Sequence, residues 1–543
     1  MRSGVAVCIA ALAVVLGACK SSSTESCNYN GATQLAATTW PKFRADGANS
    51  GRADVDLSSS SGIPAVLLQG FCASGNINMP CRQNSDCLTS GPSPTPAATP
   101  PTTPAQSPIP TPTPLVCVNI GKVVASPVLF NTTIYLASTD GTVYGLGLDS
   151  AAALSRFGIS GPILATPLVG ANGNVFVAGA GILTQFFADG TINHQTSLSG
   201  TVGGSPNIWS SNGTTYIGTG GGEFAGICPN GIPRYAVGFP STQSSPAVVQ
   251  DPHLAPGDLR PIAVGGGANG EVRAYDIKGR QYYAFTATNT IVASIVVDDL
   301  ASPRVFYVAD TNGQLFIVNL ASGQSVNPGR SPTPNTNANP NAPIFRAAYC
   351  SVTPNRQCNR DADCPASEHC ITAQIIASPA LSSDPDGMRG TTLYVADNTG
   401  VLWALDRTNG TRIWNYPDTP PPPGRSITSS PAVATGGMND VVVFALDFFD
   451  DRVNRMRSRM IALIDNGAAG PPTPLWRGAD GLDGVPVCGT VGTTNTALAS
   501  SPSIGPDGTV YIGLSSVGDP DAPECADVVT STGAGGGLAA IMP

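Results

Sequence analysis

Few residues in this chain are equipped for chemistry. Its three histidines, His194, His253 and His369, are scattered, and none stands at metal-ligand spacing from another, so acid–base catalysis by histidine is not supported. Asp298-Asp299 and Asp384-Pro385-Asp386-Gly387 resemble loops that hold calcium, but these residue types are first of all turn formers. A carboxylate pair brought together from distant loops is not excluded by sequence. No residue is assigned as catalytic, metal-ligating or cofactor-binding. One segment suggests binding. Residues 441–465 read VVVFALDFFDDRVNRMRSRMIALID, and the spacing predicts an extended hairpin that presents Phe448, Phe449, Arg452, Arg455, Arg457 and Arg459 to a partner. A merely solvated hairpin is the alternative.

The cysteines fall into groups. Cys72, Cys81, Cys87 and Cys117 form one, and Cys350, Cys358, Cys364 and Cys370 another; CRQNSDC in the first aligns with CNRDADC in the second. Cys488 and Cys525 flank the end of the chain, and Cys27 and Cys228 are left over. The CxxC spacing of a zinc site is absent, so disulfides are expected, with connectivity open because four cysteines allow three pairings. Segments this small bury too little apolar surface to hold themselves together without cross-links.

Disulfides imply export, and the N-terminus agrees. Residues 1–18 read as a signal peptide, with Arg2 followed by the apolar stretch GVAVCIAALAVVL at 4–16. Leu16-Gly17-Ala18-Cys19 matches the bacterial lipobox, which predicts a lipid on Cys19 and a flexible tether over residues 19–39. Lys20 favours the outer membrane over the inner. The expected location is therefore the bacterial cell envelope. Only 12% of residues are charged, the net charge is -9, and no Lys/Arg stripe exists, which argues against nucleic acid as a partner.

With 62 glycines and 49 prolines, the composition points to short strands and turns rather than helices. A signature of a hydroxyl residue, Pro and an apolar pair recurs at Pro127, Pro167, Pro206, Pro246, Pro379, Pro431 and Pro502, and an eighth copy has Ile295 in the proline position. The first four are 39 or 40 residues apart, the length of one four-stranded blade of a β-propeller. The best copy, TLYVADNTGVLWALDRTNGTRIW at 392–414, shows strand, glycine turn, strand, glycine turn and a closing aromatic. The expected fold is all-β, an eight-bladed propeller of four-stranded blades over residues 40–543, with Cys-rich and Pro-rich inserts at 72–117 and 325–372. The last copy ends after GGGLAAIMP (535–543), so Ile63 to Phe71 is predicted to supply its missing outer strand, removing an exposed edge.

The repeat, with an aromatic four residues after the last glycine (Tyr235, Tyr283, Trp414), resembles the PQQ-like (pyrroloquinoline-quinone-type) repeat. Trp40 to Gly51, WPKFRADGANSG, is similar to the segment that precedes many such propellers. The resemblance implies that the aromatics pack between blades as core. It offers two functional classes: quinone-dependent dehydrogenases, and envelope lipoproteins such as the propeller that helps assemble outer-membrane β-barrels. The dehydrogenases use adjacent cysteines, calcium ligands and an Asp base; this chain has no adjacent cysteine pair and no CxxCH haem motif. The expectation is thus a non-catalytic, lipid-anchored scaffold without cofactor, binding protein or peptide partners. A glycan-binding propeller is the second expectation and a quinone-dependent enzyme the third.

Overall fold

Alternating apolar residues separated by glycine turns produce short antiparallel strands along the whole chain. The computed structural model describes Leu35, Ala37 and most of residues 40–543. Residues 1–34, 73–79, 82–116, 149–154, 327–342, 354–357, 383–390, 493–498 and 518–534 lie outside it, with isolated positions such as 41, 47 and 452–453.

Each copy of the repeat, numbered here as units 1 to 8 from Pro127 to Pro502, folds as one sheet. Unit 1 is a meander of Val128–Phe130, Thr133–Ala137, Thr142–Gly147 and Ser155–Gly158. Units 2 to 6 repeat that order. In unit 8, Ser503–Ile504, Val510–Leu514 and Gly537–Met542 are completed by Ile63–Leu68, which pairs antiparallel from Ile63↔Met542 to Leu68↔Leu538. The borrowed closing strand is therefore present.

The expectation of eight four-stranded blades needs correction: among the described residues there are seven. Unit 7 forms a seven-stranded sheet instead. Its strands Val441–Asp450 and Arg455–Ile464 are ten residues each, twice the length of their counterparts, so their outer halves have ladder positions to fill. Arg425–Ser426 and Val485–Pro486 pair there, while Arg52–Ala53 adds in parallel to the inner strand Ala432–Ala434. The predicted extended hairpin is thus made by lengthening the two strands themselves.

Inner strands are buried on both faces, whereas outer strands such as Ile192–Ser197 are largely exposed. The closing aromatics pack between units as expected. Tyr235 of unit 3 lies over Gly279 of unit 4, where a Cβ would stand 2.6 Å from the ring and φ is +77°, so only glycine fits. Trp414 Nε1 donates to Asp465 of the next unit at 2.7 Å, and Tyr394 donates to the same carboxylate at 2.6 Å.

At the axis the hydroxyl residue of every copy has a defined task. The Ser126 N–H donates to Thr166 Oγ1, the Thr166 N–H to Ser205 Oγ, and so on through Ser245, Ser294, Ser378, Ser430 and Ser501, whose N–H returns to Ser126 Oγ. All eight bonds are 2.9–3.0 Å, and all eight residues are buried. This ring closes the propeller around its centre. Ser378→Ala leaves the buried Ser294 N–H without an acceptor, and a loss of about 1–3 kcal/mol is expected in urea denaturation. Ser378→Thr, which keeps the oxygen, should lose less.

Candidate functional site

The ring lines a small axial cavity. Its walls are Ser126, Thr166, Ser205, Ser245, Ser294, Ser378, Ser430 and Ser501, together with the residues two positions before each, such as Val124, Leu164, Gln243 and Ile376. Phe43 also lines it. The volume is about 70 Å³, and no carboxylate, histidine, lysine or arginine is among the lining residues.

Phe43 belongs to a plug, Trp40 to Ala53, that crosses the axis and ties the units together. Backbone carbonyls of Trp40, Ala48, Ser50 and Gly51 accept from Leu129, Val297, Leu381 and Val433, in units 1, 5, 6 and 7. Asn49 Nδ2 donates to Ile295 O at 2.9 Å and Pro246 O at 3.2 Å. Arg44, fully buried, donates to the carbonyls of Pro379 and Pro431. Lys42 Nζ donates to Phe43 O, Asp46 O and Asn49 Oδ1 at 2.6–2.8 Å. Burial pushes the Lys42 amine down to about 7, against the pull of Asp46, and pushes Arg44 down to about 9. Arg44, Ala45 and Asn49 sit at φ 63°, 65° and 58°, a left-handed backbone that the surrounding contacts must impose.

Beside the plug, a cleft of about 430 Å³ is lined by Trp209, Asp46, Asp299 and Arg304, among others. Arg52 approaches Asp299 at 3.8 Å. Burial raises the Asp299 carboxyl, opposed by Arg52. Its neighbour Asp298 acts as a turn acceptor for the Leu300 and Ala301 N–H groups, and is 3.4 Å from Arg407 Nε. The 384–387 loop lies outside the described residues.

The histidines remain apart. His194 is half-buried on the outer strand of unit 2, and burial lowers its pKa. His253 stacks on Tyr282 at 4.2 Å and meets Asp251 at 2.7 Å. His369 is exposed in the second cysteine module, 3.7 Å from Asp361.

The cysteine modules stand between unit 8's outer strand and unit 1, and between units 5 and 6. In the second, Cys350 pairs with Cys364 and Cys358 with Cys370. The sulfurs of Cys350, Cys358 and Cys364 cluster closely enough for a metal, but they are joined as disulfides. Strand Ala348–Cys350 pairs with Cys370–Thr372 so that Cys350 faces Cys370. In the first module Gly70–Cys72 pairs with Cys117–Asn119 and Cys72 faces Cys117 in the same way. Cys81, Cys228 and Cys488 are also disulfide-bonded. Cys19, Cys27, Cys87 and Cys525 lie outside the described residues. Equal strand register predicts equal pairing, Cys72 with Cys87 and Cys81 with Cys117. Peptide mapping without reduction should recover those links beside 350–364 and 358–370.

The candidate partner-binding hairpin is only partly a surface. Arg457 is buried and pairs with Asp450 at 2.6 Å. Arg459 is buried and pairs with Asp480 at 2.6 Å while donating to the Gly484 carbonyl. Both side chains are thus taken up by internal partners, Arg457 within its own hairpin and Arg459 by residues 480–484, which corrects the expectation that they meet a partner. Phe448 is half-buried opposite Arg425, Arg455 is half-buried, and Phe449 is exposed at 42%. Arg452 lies outside the described residues.

No family model matches the chain, and no curated protein does. Solved structures do. A europium-containing methanol dehydrogenase shares 13% identity at a TM-score of 0.52, covering 93% of this chain and 98% of that one. The quinohemoprotein alcohol dehydrogenase of Comamonas testosteroni shares 12% at 0.51, covering 93% and 81%. BamB from Moraxella catarrhalis shares 14% at 0.44, covering 77% and 93%. At these identities the first two likenesses establish a common fold and nothing of activity. With the ring of sheets, they identify the chain as a β-propeller, whose repeat resembles the PQQ-like repeat.

Proposed function

We propose that this protein is a non-catalytic scaffold of the bacterial envelope, anchored through a lipid on Cys19, that binds a protein or peptide partner. The observation that carries this reading is the axis. Small-molecule sites occupy about 300–1,000 Å³, whereas the axial cavity measures about 70 Å³ and is lined by hydroxyl and aliphatic groups. A tricyclic quinone does not fit there, and no carboxylate, histidine or lysine is among the lining residues. What the propeller offers a partner lies outside: the two cystine modules, the outer strands and Phe449. A glycan is the second reading, favoured by the cleft that sets the Trp209 ring beside Asp46, Asp299 and Arg304.

Crosslinking on intact cells, followed by identification of the captured molecules, tests the proposal. Recovery of a defined envelope protein supports it, and recovery of polysaccharide alone overturns it in favour of the cleft. A quinone absorbance band retained after incubation with the quinone and calcium would overturn both. Lipidation is tested separately by detergent partitioning, which Cys19→Ser should abolish.

A further inference from the structure

The axial hydroxyls are only half used. Each accepts one amide N–H from the preceding unit, and none of the eight finds an acceptor for its own proton among the described residues. Each of these side chains is at least nine-tenths buried and lines the same cavity. Eight O–H donors therefore converge on about 70 Å³. Water there brings protons of its own as well as lone pairs, whereas an anion only accepts. The walls carry no carboxylate, and Gln243 and Thr428 are the other polar side chains on them. Phe43, which lines the cavity, is flanked in the chain by two buried bases, Lys42, whose amine is pushed down to about 7, and Arg44. The axis is thus rich in donors and has no acidic group among its lining residues.

We propose that the hydroxyl ring binds a small inorganic anion of the halide class on the propeller axis. An anion accepts from several donors at once, and the ring presents them already positioned by the blade-to-blade bonds. A cation is the opposing possibility, since the hydroxyl oxygens each retain a lone pair, but it would find no acidic ligand among the lining residues.

Crystals of the full chain grown in sodium bromide test this, with data collected at the bromine absorption edge and a parallel set from rubidium chloride at the rubidium edge. A bromide anomalous peak on the axis is the expected result. A rubidium peak there, or density for water alone, overturns the proposal. In solution, the thermal midpoint should rise with bromide concentration when sodium gluconate holds the ionic strength constant. Thr166→Val keeps the side-chain shape, removes one ring hydroxyl and should weaken that dependence at least several-fold. A bromide dependence unchanged in Thr166→Val, despite a folded circular dichroism spectrum, would also overturn it.

Discussion

Replacing Arg44 by alanine should destabilise the protein by about 3–4 kcal/mol, among the largest effects of any single substitution. Hydrogen bonds to a charged donor contribute about 1.5–3 kcal/mol each, and Arg44 makes two, to the carbonyls of Pro379 and Pro431 in adjacent units. Its loss also leaves those buried carbonyls unpaired and frees a left-handed backbone whose own preference lies elsewhere. Arg44→Lys should recover part of the loss, because one ammonium on a flexible stem does not span two carbonyls as a planar guanidinium does. Gly51→Ala should approach the alanine variant by another route. Gly51 sits at φ +69°, and a Cβ there would overlap the Arg44 guanidinium, so the arginine has to leave its carbonyls. Urea denaturation checks all three, with the midpoint falling in the order wild type, Arg44→Lys, Arg44→Ala.

Deleting residues 60–68 should cost about 5 kcal/mol or more and produce aggregation on heating. The segment contributes the outer strand of unit 8, in five paired positions along Gly537–Met542. At about 1 kcal/mol per backbone hydrogen bond, loss of the ladder alone accounts for that figure. The deletion also bares an edge strand able to template pairing with another chain. Light scattering during a thermal ramp reads the second effect and a lowered midpoint the first. A midpoint equal to that of the intact chain would mean that the ring does not depend on its borrowed strand. Val66→Pro is the milder control. It places a residue without an N–H and with a fixed φ opposite Ala539 and should lower the midpoint by a fraction of the deletion's shift.

Much of this molecule is written locally. The 39- to 40-residue period, the glycine turns and the alternating strands specify the sheet of each unit, because strand periodicity and turn chemistry act over a few residues. The truncated last copy and the orphan strand at Ile63 even announced how the ring closes. The closing aromatics were legible as core for the same reason. Other features depend on residues far apart in the chain. Arg44 meets carbonyls more than three hundred positions away, and the hydroxyl of Ser126 takes the amide of Ser501. No local pattern states that a recurring serine becomes one member of a closed ring, or that Trp40 to Ala53 becomes an axial plug. Nor does one show that Arg459 is buried, since its partners Asp480 and the Gly484 carbonyl lie more than twenty positions on. The sequence determined the units. Only the tertiary structure decided what stands at their centre, because the axis is built from one or two residues of every unit and belongs to none of them.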